Sequence, residues 1–215
     1  MLIIIIFLIS SIIINFLVYW RIGLKRKKRN SELSIFFKKI QPIIGIISII
    51  FIPIINSSFL QPYFIENVSF FRQYWTWFLV IGIIIIIIGI KIISLAKKKL
   101  KTANNVERSQ KLLTKGVYEI ARHPIYFSWI LIYLGITFIL DSFIALIFSI
   151  VLVILTELLC ILEEKHLLMP KFGESYDHYK KKTPYRLISP PYNYILIIMA
   201  IIVTYIGFLN FFNVL

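Results

Sequence analysis

The chain has 215 residues, 59% of them hydrophobic, a mean hydropathy of +0.86 and a formal net charge of +14. So apolar a composition excludes a water-soluble domain of this length and points to an integral membrane protein. The charge alone would suggest nucleic acid, so its placement has to decide.

Apolar runs occupy about 2–20, 40–60, 74–96, 125–140, 143–162 and 192–213. Most are near the roughly 20 residues a helix needs to cross the hydrocarbon core. Alternate connections are basic: eight Lys or Arg in 21–39, eight in 97–123 and six in 163–191, together 22 of the 24. Only Arg72 and Lys91 lie elsewhere. This alternation predicts cytoplasmic basic segments with both termini outside, and accounts for the charge by topology and anionic lipid rather than by a nucleic-acid surface.

The first run has no basic residue before it and no small-residue cleavage site, so it reads as a retained span rather than a signal peptide. In the second, Pro42 falls near the start and Pro53 is expected to kink the helix. The aromatic clusters at 19–20 and 74–77 are expected at opposite membrane interfaces. These first three spans carry few polar groups and read as scaffold. Strands are not expected, because the apolar runs show neither the alternation nor the length of barrel strands.

The fourth and fifth runs are separated only by Asp141 and Ser142, either of which can cap the helix beginning at Phe143. So short a turn predicts an antiparallel hairpin. Counting outward from it, Glu163 and Glu164 should lie within about one turn's height of Arg122. Pro124 fits the first helical position, and the helix start beside Arg122 and His123 could receive a carboxylate or phosphate.

Each of these groups has a bland reading as well. Arg122 could simply snorkel at the interface, and the glutamates could be a solvated helix end. An acidic pair at a helix C-terminus calls for compensation by Arg122, Lys165 or a cationic ligand. His123 could orient a ligand or cap the helix; His166 and His178 are weaker candidates. Glu157, about two turns before Glu164, is expected to pair with Lys91 in the third span.

No metal site is expected: there is no HxxxH or His/Cys spacing, and Cys160 is the sole cysteine. After the fifth run, Phe172, Tyr176 and Tyr179 form an aromatic edge beside a cationic run. That edge suits a lid over the hairpin's mouth or an amphipathic anchor lying on lipid.

"GVYEIARHPIY", the hairpin, "EEKHLL" and "FGESYDHYKKKTPYRLISP" together resemble the isoprenylcysteine carboxyl methyltransferase and phospholipid methyltransferase group of integral membrane enzymes. The resemblance covers about 112–190. It implies an all-α polytopic bundle of about six transmembrane helices, with a cytoplasmic cofactor pocket formed by the C-terminal half. The organisation expected is a scaffold over 1–111, a methyltransferase-like core over 112–191 and a final helix over 192–215.

The resemblance further implies methyl transfer from S-adenosylmethionine to a lipid, prenylated or other hydrophobic acceptor. Carried over, Tyr118, His123, Pro124, Tyr126, Glu164, Tyr176, Tyr179 and Arg186 would bind the cofactor, and Arg122, Glu163 and Glu164 would be catalytic. One departure is Ser128, where the family commonly has glycine.

In this reading Arg122 positions the acceptor, which favours a carboxylate or thiol over a phospholipid amine. Two other classes stay open: a nicotinamide-dependent membrane reductase, since sterol reductases carry a similar RHP segment, and a non-enzymatic lipid-binding protein.

Overall fold

In a computed structural model of the chain, residues 74–106 and 112–190 are described, together with scattered positions between 47 and 57 and between 193 and 205. The spans expected over 2–20, 40–60 and 192–213 lie wholly or largely outside these residues, as does Pro42; Pro53 itself is buried in the helical stretch 50–54, whose flanking turns, where a kink would show, lie outside them. Among the described residues every regular element is helical, and two stretches, Trp75–Leu100 and Ala145–Phe172, are long and apolar enough to cross a membrane.

Helix α1 runs over Trp75–Val106 and the four-residue α2 over Val117–Ile120. Helix α3, Pro124–Ile139, has the expected Pro124 in its first turn. Its 16 residues span about 24 Å, less than the hydrocarbon thickness of about 30 Å. Helix α4 is Phe143–Glu163, and of the two possible caps the chain uses Ser142, whose side chain accepts from the Ala145 amide at 3.3 Å. Asp141 makes the preceding turn with a positive φ of 47°, a conformation that aspartate tolerates better than most residues.

Helix α1 packs antiparallel along α3 at very close range. A Cβ added to Gly135 would stand 2.6 Å from the Gly82 carbonyl oxygen, and one added to Gly89 would stand 3.1 Å from that of Ser128. Ser128 is fully buried and turns its hydroxyl back to the Pro124 carbonyl, at 2.7 Å. Close approach at this level is therefore provided by Gly89 of the facing helix. Phe78 meets Phe138 edge-on, and Trp75 Nε1 donates to the Ile139 carbonyl at 3.1 Å, locking the turn end. Tyr133 ties α3 to α4 by donating to the Ala145 carbonyl at 2.9 Å.

The acidic pair does not close its helix as expected. The helix runs on through a π-turn, Glu164–Leu168, into α5, Met169–Phe172. Pro170 has no amide for the His166 carbonyl, a deficit that such a locally widened helix accommodates. Gly173, at φ 51°, then ends it and α6 begins, Glu174–Lys182. The buried Tyr176 and Tyr179 pack with Ala96 and Tyr118, with Leu112, Leu113 and Phe172 around them. The aromatic edge thus covers protein in the manner of a lid.

Candidate functional site

Helix α3 begins and the π-turn lies at the same end of the hairpin, and Glu164 is where they meet. Its Oε1 accepts from Arg122 Nε at 2.8 Å and lies 3.2 Å from His123 Nε2; its Oε2 accepts from Arg186 Nε at 3.2 Å. Only 3% of the residue is exposed. Arg122, equally deep, also donates through Nη1 to the Thr183 carbonyl at 2.6 Å.

Residues 183–186 return alongside residues 119–123. The Arg122 amide donates to the Tyr185 carbonyl at 3.1 Å, the His123 amide to the Arg186 carbonyl at 2.8 Å, and Tyr179 Oη to the Tyr118 carbonyl at 2.6 Å. The amides of Arg122 and His123 are therefore satisfied within the protein. Pro124 sets the direction in which α3 leaves this return.

The other candidates surround the same carboxylate. Glu163 is less buried, with Oε2 3.6 Å from His123 Nδ1. The Tyr126 ring lies beside His123, centroids 5.7 Å apart. Tyr176 is 1% exposed and its hydroxyl makes no hydrogen bond of good geometry, although Glu164 and Arg122 both act on it electrostatically. Arg186, the most accessible of the cations here, bridges Glu164 and Glu157. The structure thus brings all the sequence-derived candidates to one end of the hairpin.

Glu157 corrects the sequence expectation: it pairs with Arg186, while Lys91 is exposed on α1, which packs along α3. Its seven-residue spacing from Glu164 was the available signal; the partner was not readable. Thr183, whose carbonyl holds Arg122, left no signal, since any residue has a carbonyl.

The cluster controls its own ionisation. Burial alone would raise the Glu164 carboxyl, but hydrogen bonds from His123, Arg122 and Arg186, with the Arg122 charge, hold it well below the usual carboxylate range. Burial, helped by the Glu163 charge, pushes the Tyr118 phenol up to about 12. Burial likewise raises Tyr176 and Tyr179. The carboxylate is thus ionised and the phenols neutral at physiological pH. Among the described residues no His/Cys/Asp/Glu group has metal-holding geometry.

Beside the cluster an apolar groove of about 580 Å³ lies between α1 and α3, lined by side chains such as Ile84, Ile88, Ile92 and Phe127. It reaches Ala121, Pro124 and Leu187, the immediate neighbours of Arg122, His123 and Arg186.

Residues 77–175 match the family model described as phospholipid methyltransferase. The match bears out the resemblance to the integral membrane methyltransferases seen in the sequence. It also reaches back over α1, the segment that reads as scaffold, and it stops just before Tyr176. No curated protein and no solved structure matches the chain.

Proposed function

We propose that the chain is an S-adenosylmethionine-dependent integral membrane methyltransferase acting on a lipid-like acceptor. The observation that carries this reading is the convergence of Arg122, His123 and Arg186 on the buried Glu164, of which Arg122, His123 and Glu164 lie inside the stretch that matches a methyltransferase family.

The donor is zwitterionic and carries a sulfonium, so it calls for carboxylates near its cationic groups and a cation near its carboxylate. The residues present fit that demand. Glu163 and Arg186 are the partly exposed members of the cluster; Glu163 can exchange its protein partner for ligand, and Arg186 has guanidinium donors left over while it stays on Glu157 and Glu164. The buried Tyr176 hydroxyl is a polar atom whose hydrogen bonding a ligand would complete. Tyr118 and Tyr179 hold the lid segment in place, while His123, against Glu163 and Glu164, and Tyr126 beside it stand at the start of α3.

Bound S-adenosylmethionine supplies a methyl group already activated by its sulfonium, so the chain's own task is alignment and control of charge. Glu164, kept ionised, orders Arg122, His123 and Arg186 around it, which leaves the partly exposed Glu163 as the carboxylate toward the donor's cationic groups. Arg122 fixes Glu164 and the 183–186 return.

With two of its donors so engaged, Arg122 no longer argues for an acceptor carboxylate. The family's description favours a lipid amine instead. An ammonium must first lose a proton, which Glu163, beside His123 and partly exposed, can take; the nitrogen then bonds to the methyl carbon as the carbon–sulfur bond breaks and S-adenosylhomocysteine leaves. The hydrocarbon part of such an acceptor suits the apolar groove that ends beside the cluster.

Purified protein titrated with S-adenosylhomocysteine and separately with NADPH tests the class. Binding of the first alone is expected; binding of NADPH alone overturns it in favour of a reductase. Membranes given donor with a labelled methyl group test the acceptor: base-stable label in extracted lipid is expected, whereas base-volatile label indicates a methyl ester.

A further inference from the structure

We infer that Glu157 is a positioning residue: it clamps Arg186 against Glu164 and so holds the lid segment over the cluster proposed above to bind the donor. The inference rests on the methyltransferase reading above.

Glu157 stands seven residues before Glu164, on the same face of α4 and about 10 Å further along the helix toward the hairpin turn. Its sequence neighbours, Leu155, Thr156, Leu158 and Leu159, are apolar or weakly polar. A carboxylate in such a stretch is costly unless it is paired. Its pair is Arg186 Nη1, while Nε of the same guanidinium rests on Glu164 Oε2 at 3.2 Å. One planar group thus bridges two carboxylates two helical turns apart, a task suited to arginine's fork.

The two ends of that bridge are not equivalent. Glu164 has three donors, from Arg122, His123 and Arg186, and keeps two if Arg186 leaves. Glu157 has its one described ion pair with Arg186. The Arg186 backbone is bound to α3 through the His123 amide, so the side-chain bridge is what joins residue 186 to α4. Without Glu157 the guanidinium is held at one end only, with 27% of the side chain already exposed.

Glu157→Gln, nearly isosteric, tests this in the full-length protein. Affinity for S-adenosylhomocysteine should fall roughly fivefold, the scale of a partly exposed ion pair. Donor KM should rise with it while kcat at saturating donor holds, and Glu157→Asp should recover part of the loss. In an Arg186→Gln background Glu157→Gln should add nothing further. Without donor, trypsin should cut at Lys180–Lys182 faster in Glu157→Gln than in wild type.

Unchanged affinity and unchanged cleavage in Glu157→Gln overturn the clamp, as does a loss that adds in full to that of Arg186→Gln. If wild type binds no S-adenosylhomocysteine, the methyltransferase reading falls, and the cleavage rates alone decide the clamp.

Discussion

Glu164 accepts from three cationic or titratable side chains, and replacing it by glutamine leaves Arg122 buried with its principal counter-charge gone. Breaking one side of so enclosed a pair costs about 3 kcal/mol or more. Glu164→Gln should therefore lower the thermal unfolding temperature in detergent markedly. Glu163→Gln, whose side chain is 24% exposed, should cost no more than about 1 kcal/mol. Because the folded-state pKa of Glu164 is depressed, its contribution is fully present above the unfolded carboxylate value, about 4.3, and is lost as pH falls from there through the folded value. The gap between wild type and Glu164→Gln should thus be constant near neutrality and close below about pH 4. A gap that stays open in acid means the carboxylate is not held by these cations. Glu164 was legible because a two-residue turn fixes the height of everything on its two helices. The carbonyls of Thr183, Tyr185 and Arg186 were not, since backbone acceptors carry no sequence signature.

The α1–α3 crossing places glycine against glycine, and there two effects compete. Alanine in a helix interior gains up to about 1 kcal/mol over glycine by propensity. At Gly135, however, the new Cβ would stand 2.6 Å from a backbone carbonyl that cannot step aside unless the helices part. Overpacking costs of about 1–3 kcal/mol should win. Gly135→Ala and Gly82→Ala should both destabilise the protein, and Gly89→Ala, 3.1 Å from its nearest backbone atom, should cost less. Thermal unfolding of the three variants checks the order, and a stabilised Gly135→Ala contradicts the crossing. From the sequence alone, α1 and α3 were legible as apolar runs, since hydropathy reports what faces lipid. Their pairing was not, because glycine in an isoleucine-rich run shows no partner until the facing helix is known. The π-turn escaped for a different reason. Charge after Leu162 looked like a helix end, yet the helix continues because Leu168, Met169 and Phe172 go on packing against the buried tyrosines.

At the scale of the molecule, the cluster and the cationic run Lys180–Lys182 lie toward one end of the hairpin, and the Trp75 end of α1 lies with the hairpin turn at the other. Positive charge resists translocation, so the basic ends should stay on the cytoplasmic face, where a polar donor is available. This orientation predicts a labelling pattern. Cys160 is the sole cysteine and buried, so Cys160→Ser supplies a background for single introduced cysteines. Lys97→Cys, near the basic end of α1, should react with a membrane-impermeant maleimide only after the cytoplasmic face is opened. Trp77→Cys, at a position 70% exposed near the other end of α1, should react in intact cells. Labelling of both from the same side rules out α1 as a span. The reverse pattern puts the Arg122–Glu164 cluster on the face without donor and removes the physical basis for methyl transfer there. Of the aromatic cluster at 74–77, Trp75 is tied to the Ile139 carbonyl and locks the turn end of α3, while Trp77 faces outward.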